Sequence, residues 1–195
     1  MGALAVERGY REPLRYEKLN GKPVLMASPR VNHNTVAGNI YSIFKQYLKG
    51  KKCRVFFDGV DVFLTDNDTV IPDVMIVCNP NIIKNEGIEG TPDLIVEILS
   101  PNTAQRDRGY KKDLYERCGV KEYWIVEVDW QGGGFVEVYE LVEGKYRLQG
   151  AHFAKSEQKI MALKPNEIEA LTERFSSVLF PEMVLEMKEV FEDVN

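Results

Sequence analysis

Residues 92–99 read Pro92-Asp93-Leu94-Ile95-Val96-Glu97-Ile98-Leu99. The run is almost continuously apolar, the pattern of a strand covered on both faces. Ser100-Pro101-Asn102-Thr103 ends it and offers capping residues to the next helix. That helix carries Tyr110, Leu114 and Tyr115 on its apolar side and stops at Gly119. Glu122–Val128, with Tyr123 and Trp124 packed in the core, reads as a second core strand.

Outward from this centre the elements are simpler. Residues 1–31 are polar, carry Pro13, Pro23 and Pro29, and read as loop or short edge strands. Asn32-His33-Asn34-Thr35 offers N-cap residues. Val36, Ile40, Ile43, Phe44, Tyr47 and Leu48 then recur at helical spacing, and Gly50 closes the helix. Cys53–Phe57, Val60–Thr65 and Val70–Cys78 read as strands, with turns at Asp58-Gly59 and Asp66–Asp68. Pro72 marks an edge or a strand start in the third. Asn79–Gly90 is a loop. Gly132–Gly134 reads as a loose loop, and Phe135–Val142 and Lys145–Leu148 flank a hairpin turn at Glu143-Gly144. An acidic, amphipathic helical segment is expected over about 163–195, broken at Phe180-Pro181. The order predicts an α/β fold of the α+β type, a central mixed sheet flanked by helices, with all 195 residues in one domain.

Composition excludes some classes. With 44% hydrophobic and 28% charged residues the chain is of globular type, not disordered. No apolar run nears the roughly 18 residues that span a bilayer, and Glu7 and Arg8 stand where a signal peptide needs an apolar core. The three cysteines, Cys53, Cys78 and Cys118, match no zinc or redox spacing. Reduced thiols and a cytoplasmic location are therefore expected. The net charge of -5 at first disfavours a nucleic-acid partner. The acidic residues concentrate after Leu163, however, and the rest of the chain is balanced. A basic run, Arg106, Arg108, Lys111, Lys112, Arg117 and Lys121, lies within 102–121. Such a patch either holds phosphates or is a solvated helix face.

The chemistry is signalled by acids inside apolar strands: Asp61, Asp73, Asp93 and Glu97. A carboxylate there is costly unless it is paired or binds a metal. Asp93 and Glu97 point the same way but lie roughly 13 Å apart on one strand, at about 3.3 Å per residue. That is too far for one Mg²⁺, whose ligands lie at about 2.1 Å. Asp73 and Glu97 come from different strands, and neighbouring strands are about 4.8 Å apart, so this pair can share an ion. The plain structural alternative leaves Asp73 exposed at a strand entry and Glu97 neutralised by a basic helix residue. Two carboxylates with a lysine are the minimal equipment for metal-dependent phosphodiester hydrolysis.

Ile71-Pro72-Asp73-Val74, Gly90-Thr91-Pro92-Asp93 through Ser100-Pro101, Arg106–Lys111 and Gly119–Trp124 together resemble the Uma-type restriction endonuclease family, over roughly residues 14–190. The family is grouped with the PD-(D/E)xK nucleases. The resemblance implies a restriction-endonuclease-like core, Mg²⁺ or Mn²⁺ as cofactor, and Asp73 and Glu97 as its ligands. The superfamily lysine two residues beyond the second acid is Leu99 here; Lys111 matches a position where the family has lysine. Without the resemblance, Lys111 reads as an exposed i, i+4 partner of Asp107. The acid often found on the first helix is absent from 34–49. His33 matches a family histidine, and by itself reads as a capping residue. The resulting expectation is an endonuclease acting on DNA. Asp73, Glu97, Lys111 and His33 form its catalytic set, and Arg106, Arg108 and Lys112 contact phosphates. The rival is an inactive nuclease-fold module for nucleic-acid binding or protein assembly. The acidic tail would then pack on a basic face, inhibit the site, or form a homodimer contact.

Overall fold

The computed structural model describes residues 14–129, 133–154 and 174–194. Strands β1 (Tyr16–Leu19) and β2 (Lys22–Leu25) form a hairpin, turned by Asn20 and Gly21 at φ of 50° and 75°. Helix α1 (Val31–Tyr47) follows, and then β3 (Arg54–Phe57), β4 (Val62–Thr65), β5 (Asp68–Val70), β6 (Val74–Val77), β7 (Ile88–Glu89) and β8 (Leu94–Ile98). A helical stretch comes next: α2 (Ala104–Arg106), a π turn (Asp107–Lys111) and α3 (Lys112–Cys118). Strands β9 (Glu122–Asp129), β10 (Gly133–Val142), β11 (Lys145–Ala154), β12 (Arg174–Ser176) and β13 (Val184–Glu186) lead to the short helix α4 (Met187–Val190).

The main sheet has the order β11-β10-β9-β8-β6-β3. It is mixed, because β8 and β9 run parallel and its other pairs are antiparallel. Parallel neighbours need a crossover, and the 104–118 helix supplies it. Strand β8 is buried along its whole length because each face has its own core. Val96 and Ile98 pack with Val36, Ile40 and Phe44 of α1. Ile95 packs with Leu114, Tyr115 and Tyr123 on the other side. Trp124 and Tyr123 are fully buried, one in each core.

Several expectations change. The apolar run read as one strand over Val70–Cys78 is two, in different sheets. Strand β5 belongs to a five-stranded sheet, β2-β1-β5-β4-β7, and β6 to the main one. Proline has no N–H for a ladder, and Ile71-Pro72-Asp73 carries the chain between them. Strand β1 lies inside that second sheet, between β2 and β5, so it is no edge. Helix α1 starts at Val31 with Arg30 as N-cap and no side-chain cap. Cys53 and Cys78 are joined in a disulfide. The β3–β6 register, which pairs Arg54 with Val77, brings these cysteines together. The argument from reduced thiols therefore falls for that pair, and Cys118 alone is free. No helix among the described residues is long and apolar enough to cross a membrane.

The expected acidic helix over 163–195 lies partly outside the described residues. Within 174–194 it is replaced by a strand pair and the single turn α4. Phe175, Met183, Leu185, Met187, Val190 and Phe191 are buried against Trp124 and α1. This segment completes the main core rather than offering a loose tail. Glu122 anchors it. Its buried carboxylate accepts hydrogen bonds from Trp124 Nε1 (2.7 Å), Ser177 Oγ (2.8 Å) and the Val178 and Leu179 amides (3.0 and 2.9 Å). Glu122→Ala leaves those buried donors without an acceptor, so we expect a loss of about 3 kcal/mol. Glu122→Gln keeps one acceptor oxygen and should lose less. Urea denaturation of both variants measures the difference.

Candidate active site

A cleft of about 620 Å³ opens where the β1–β2 hairpin, the first turn of α1, the Ser100–Ala104 connection and the ends of β8 and β9 meet. Strand pairing sets its floor. The antiparallel β6–β8 ladder pairs Val74 with Val96. Continued by one residue, it sets Asp73 across from Glu97, and both line the cleft. Asp73 Oδ2 accepts the Ile98 amide at 2.6 Å and lies 3.3 Å from His33 Nε2. His33 comes from the first turn of α1, so it holds Asp73 rather than capping the helix. Burial pulls the His33 pKa down, but the hydrogen bond and charge of Asp73 outweigh it and the net shift is upward.

Glu97 is 3% exposed. Its Oε1 accepts Lys111 Nζ at 2.9 Å and the Tyr115 hydroxyl at 2.5 Å. Lys111, also 3% exposed, is not the surface partner of Asp107 that spacing alone suggests. Its ammonium lies 2.7 Å from Glu17 Oε1, 2.9 Å from Glu97 and 3.8 Å from Asp107. The π turn delivers Asp107 and Lys111 into the site together; such turns are frequent at functional sites. Burial raises the Glu97 carboxyl well above the usual range, and the Lys111 charge opposes it. Burial raises Asp107 as well. Burial alone would lower Lys111, but Glu97, Glu17 and Asp107 more than reverse this, so the lysine stays charged.

Glu17 is a buried member of this cluster that the sequence reading does not single out. Its Oε1 also accepts the Ile71 amide at 3.0 Å. In Tyr16-Glu17-Lys18-Leu19 the glutamate shares the buried face with Leu19. An acid in phase with the apolar side of a strand was the available signal, and reading residues 1–31 as loop or edge hid it. Of the three residues expected at phosphates, Arg106 alone lines the cleft, with its guanidinium 3.8 Å from Glu17. Arg108 is bound to Glu137 at 2.7 Å, and Lys112 lies 3.6 Å above the Tyr139 ring. Asp93 is structural: it accepts the Cys78 amide and pairs with Lys121 at 2.7 Å.

The residues present fit a hard divalent cation. All the acids at the floor offer oxygen, the donor that Mg²⁺ and Mn²⁺ take. Glu17 Oε2 and Asp107 Oδ1 are buried without a hydrogen-bond partner. Among the described residues no group of three or more His, Cys, Asp or Glu side chains forms a ready-made cage. Mg²⁺ does not need one, since it keeps several waters and uses one or two carboxylates.

Comparisons with known proteins bear on the family and the fold. The Uma2 family model, described as "Putative restriction endonuclease", matches residues 5–172. An uncharacterized protein of Synechocystis sp. is 28% identical over 106 residues, 54% of this chain. The matched region spans 56% of that relative's length. A crystal structure from Anabaena variabilis, described as "a putative nuclease belonging to DUF820", has a TM-score of 0.62 at 20% identity. It covers 90% of this chain and 89% of its own, and shows the same fold.

The charge cluster makes a stability prediction. Lys111→Met leaves buried carboxylates uncompensated and should cost about 3–5 kcal/mol. Glu97 and Asp107 already bind protons more readily than exposed acids. Without the ammonium the folded chain gains further protons as pH falls. The deficit should therefore be larger at pH 8 than at pH 5, as denaturation at both values would show.

Proposed function

We propose, because the chain belongs to the Uma2 family of restriction-endonuclease type, that the cleft hydrolyses phosphodiester bonds of DNA with a divalent cation. The observation that carries this is the meeting of Asp73, Glu97 and Lys111 at one cleft floor. An inert module of the same fold has no need to bury an ammonium among three carboxylates, where desolvation is costly.

Hydrolysis joins a water oxygen to phosphorus and breaks the bond to one sugar oxygen, so negative charge grows on the phosphate and on the departing oxygen. A cation held by Asp73 and Glu97 would supply Lewis-acid stabilisation of that charge and a more acidic bound water. The chain's own groups do the positioning. Tyr115 and Lys111 orient Glu97, while His33 and the Ile98 amide orient Asp73. Tyr115 is kept neutral by burial and by the nearby Glu97, and so remains a hydrogen-bond donor. The surrounding carboxylates hold Lys111 protonated, and it contributes charge and position. Arg106 is the cation placed to meet a phosphate oxygen, since its side chain lines the cleft and is partly exposed there.

Asp73→Asn and Glu97→Gln should each lower Mn²⁺-dependent cleavage by on the order of a hundredfold or more. They should also reduce the rise in melting temperature that Mn²⁺ gives the unaltered chain. If both variants cut DNA and respond to Mn²⁺ like the original, the assignment of this site fails.

A further inference from the structure

Shape and charge restrict which polynucleotide can reach the cleft floor. Glu17, Glu97 and Lys111 are 1%, 3% and 3% exposed. They lie at the bottom of a space of about 620 Å³, a size typical of small-ligand pockets. A DNA duplex is stiff, with a persistence length of about 50 nm. It carries its phosphates on the outside of a stacked rod, and lowering one of them into such a space means kinking or opening the helix.

Charge points the same way. Duplex binding draws on a run of Lys and Arg that neutralises successive phosphates. The described residues lining this cleft include four Lys or Arg side chains (Arg15, Arg30, Arg106 and Lys111) and His33 against seven acidic ones. Of the four, Lys111 is enclosed by carboxylates, and Arg15 is bound to Asp58 at 2.9 Å. Outside the cleft, Arg108 and Lys112 are engaged with Glu137 and Tyr139. Arg106 stands beside the floor as an anchor for a single phosphate.

Part of the lining at the cleft mouth is apolar and exposed. Leu14 and Val31 are 66% and 81% exposed, and with Met26 and Pro29 they line the cleft. Bases stacked within a duplex cannot cover that surface, whereas unpaired bases can, and burying it is favourable.

We propose that the site takes an unpaired stretch of polynucleotide (a flap, a frayed end or a displaced strand) and not the interior of a continuous duplex. This rests on the phosphodiesterase reading above. Arg106 receives a phosphate near the bond to be cut, and Leu14 and Val31 pack against the flanking unpaired bases.

The test uses labelled oligonucleotides of one sequence in Mn²⁺: single-stranded DNA, single-stranded RNA, a duplex closed at both ends by hairpins, and the same duplex with a single-stranded flap. Glu97→Gln serves as the blank. Cleavage of a single strand and of the flap at least tenfold faster than of the closed duplex is expected, and the two single-stranded arms identify the sugar. Val31→Ser should raise KM on the preferred strand with little change in kcat. A closed duplex cut as fast as the single strands overturns this proposal and leaves the phosphodiesterase reading standing. Absence of Glu97-dependent cleavage in every arm overturns both.

Discussion

The ammonium of Lys111 sits where water is almost excluded, between Glu17 and Glu97 and near Asp107. Removing these charges from water costs several kcal/mol each, and their attraction offsets that only in good geometry. That requirement ties together three parts of the chain far apart in sequence: the first hairpin, the central strand β8 and the crossover helix. Neighbouring contacts serve the same end. The Tyr110 hydroxyl donates to Asp68 at 2.6 Å, and Asp68 also accepts the Asn20 amide at 2.8 Å. The Tyr123 hydroxyl donates to the Asp107 carbonyl at 3.0 Å. The π turn is thus held at both ends of its span, by the second sheet and by β9. A shift of the helix by one residue would remove Lys111 from its carboxylates.

The centre of this arrangement was legible in the sequence because it is periodic. An apolar run with Glu97 inside it, a capped helix and a second apolar run define β8, the crossover and β9. Strand spacing allows Asp73 and Glu97 to converge, and the family resemblance selects that pair. Glu17 was not legible in that way. The four-residue strand that carries it has too short a pattern to stand out, and its burial depends on the second sheet closing over it. Lys111 looked like a surface residue because i, i+4 arithmetic assumes a regular helix. Nothing local signals the π turn. The strand break at Pro72 was visible, but its consequence, a move from one sheet to another, is a property of the tertiary fold.

The C-terminal segment shows the opposite error. Its acids dominate the composition, so a charged helix was the natural expectation. What decides its structure is the apolar set buried beside Trp124, together with Glu122, whose carboxylate meets Trp124, Ser177 and two backbone amides. Ser177 and the two amides arrive from 55 to 57 residues away along the chain. Within 174–194 the acids lie toward the surface, and most of the apolar side chains, Val184 excepted, are covered inside the chain. A dimer contact or an inhibitory tail built on that apolar face would compete with the protein's own core. The Cys53–Cys78 disulfide follows the same logic. It was invisible to spacing rules because the register of β3 against β6 creates it.

The departure at Leu99 now has a physical account. Residue 99 lies two beyond Glu97, on the same side of the extended chain. A lysine there would emerge next to the carboxylate directly from the strand. Leu99 instead joins the core formed with Ile95, Leu114 and Tyr123. The charge comes from Lys111, across the gap between sheet and helix, and its ammonium reaches Glu97 Oε1 at 2.9 Å. On the proposed reading the centre needs an ammonium at a point in space, and either route can place it there. The helical route has a further consequence. A lysine arriving from above can touch Glu17 and approach Asp107 as well as Glu97, so it compensates more than one carboxylate. On the proposed reading, leucine at position 99 is compatible with an intact centre. It transfers the balancing of charge from the sheet to the crossover helix, and makes the first hairpin, through Glu17, part of the same centre.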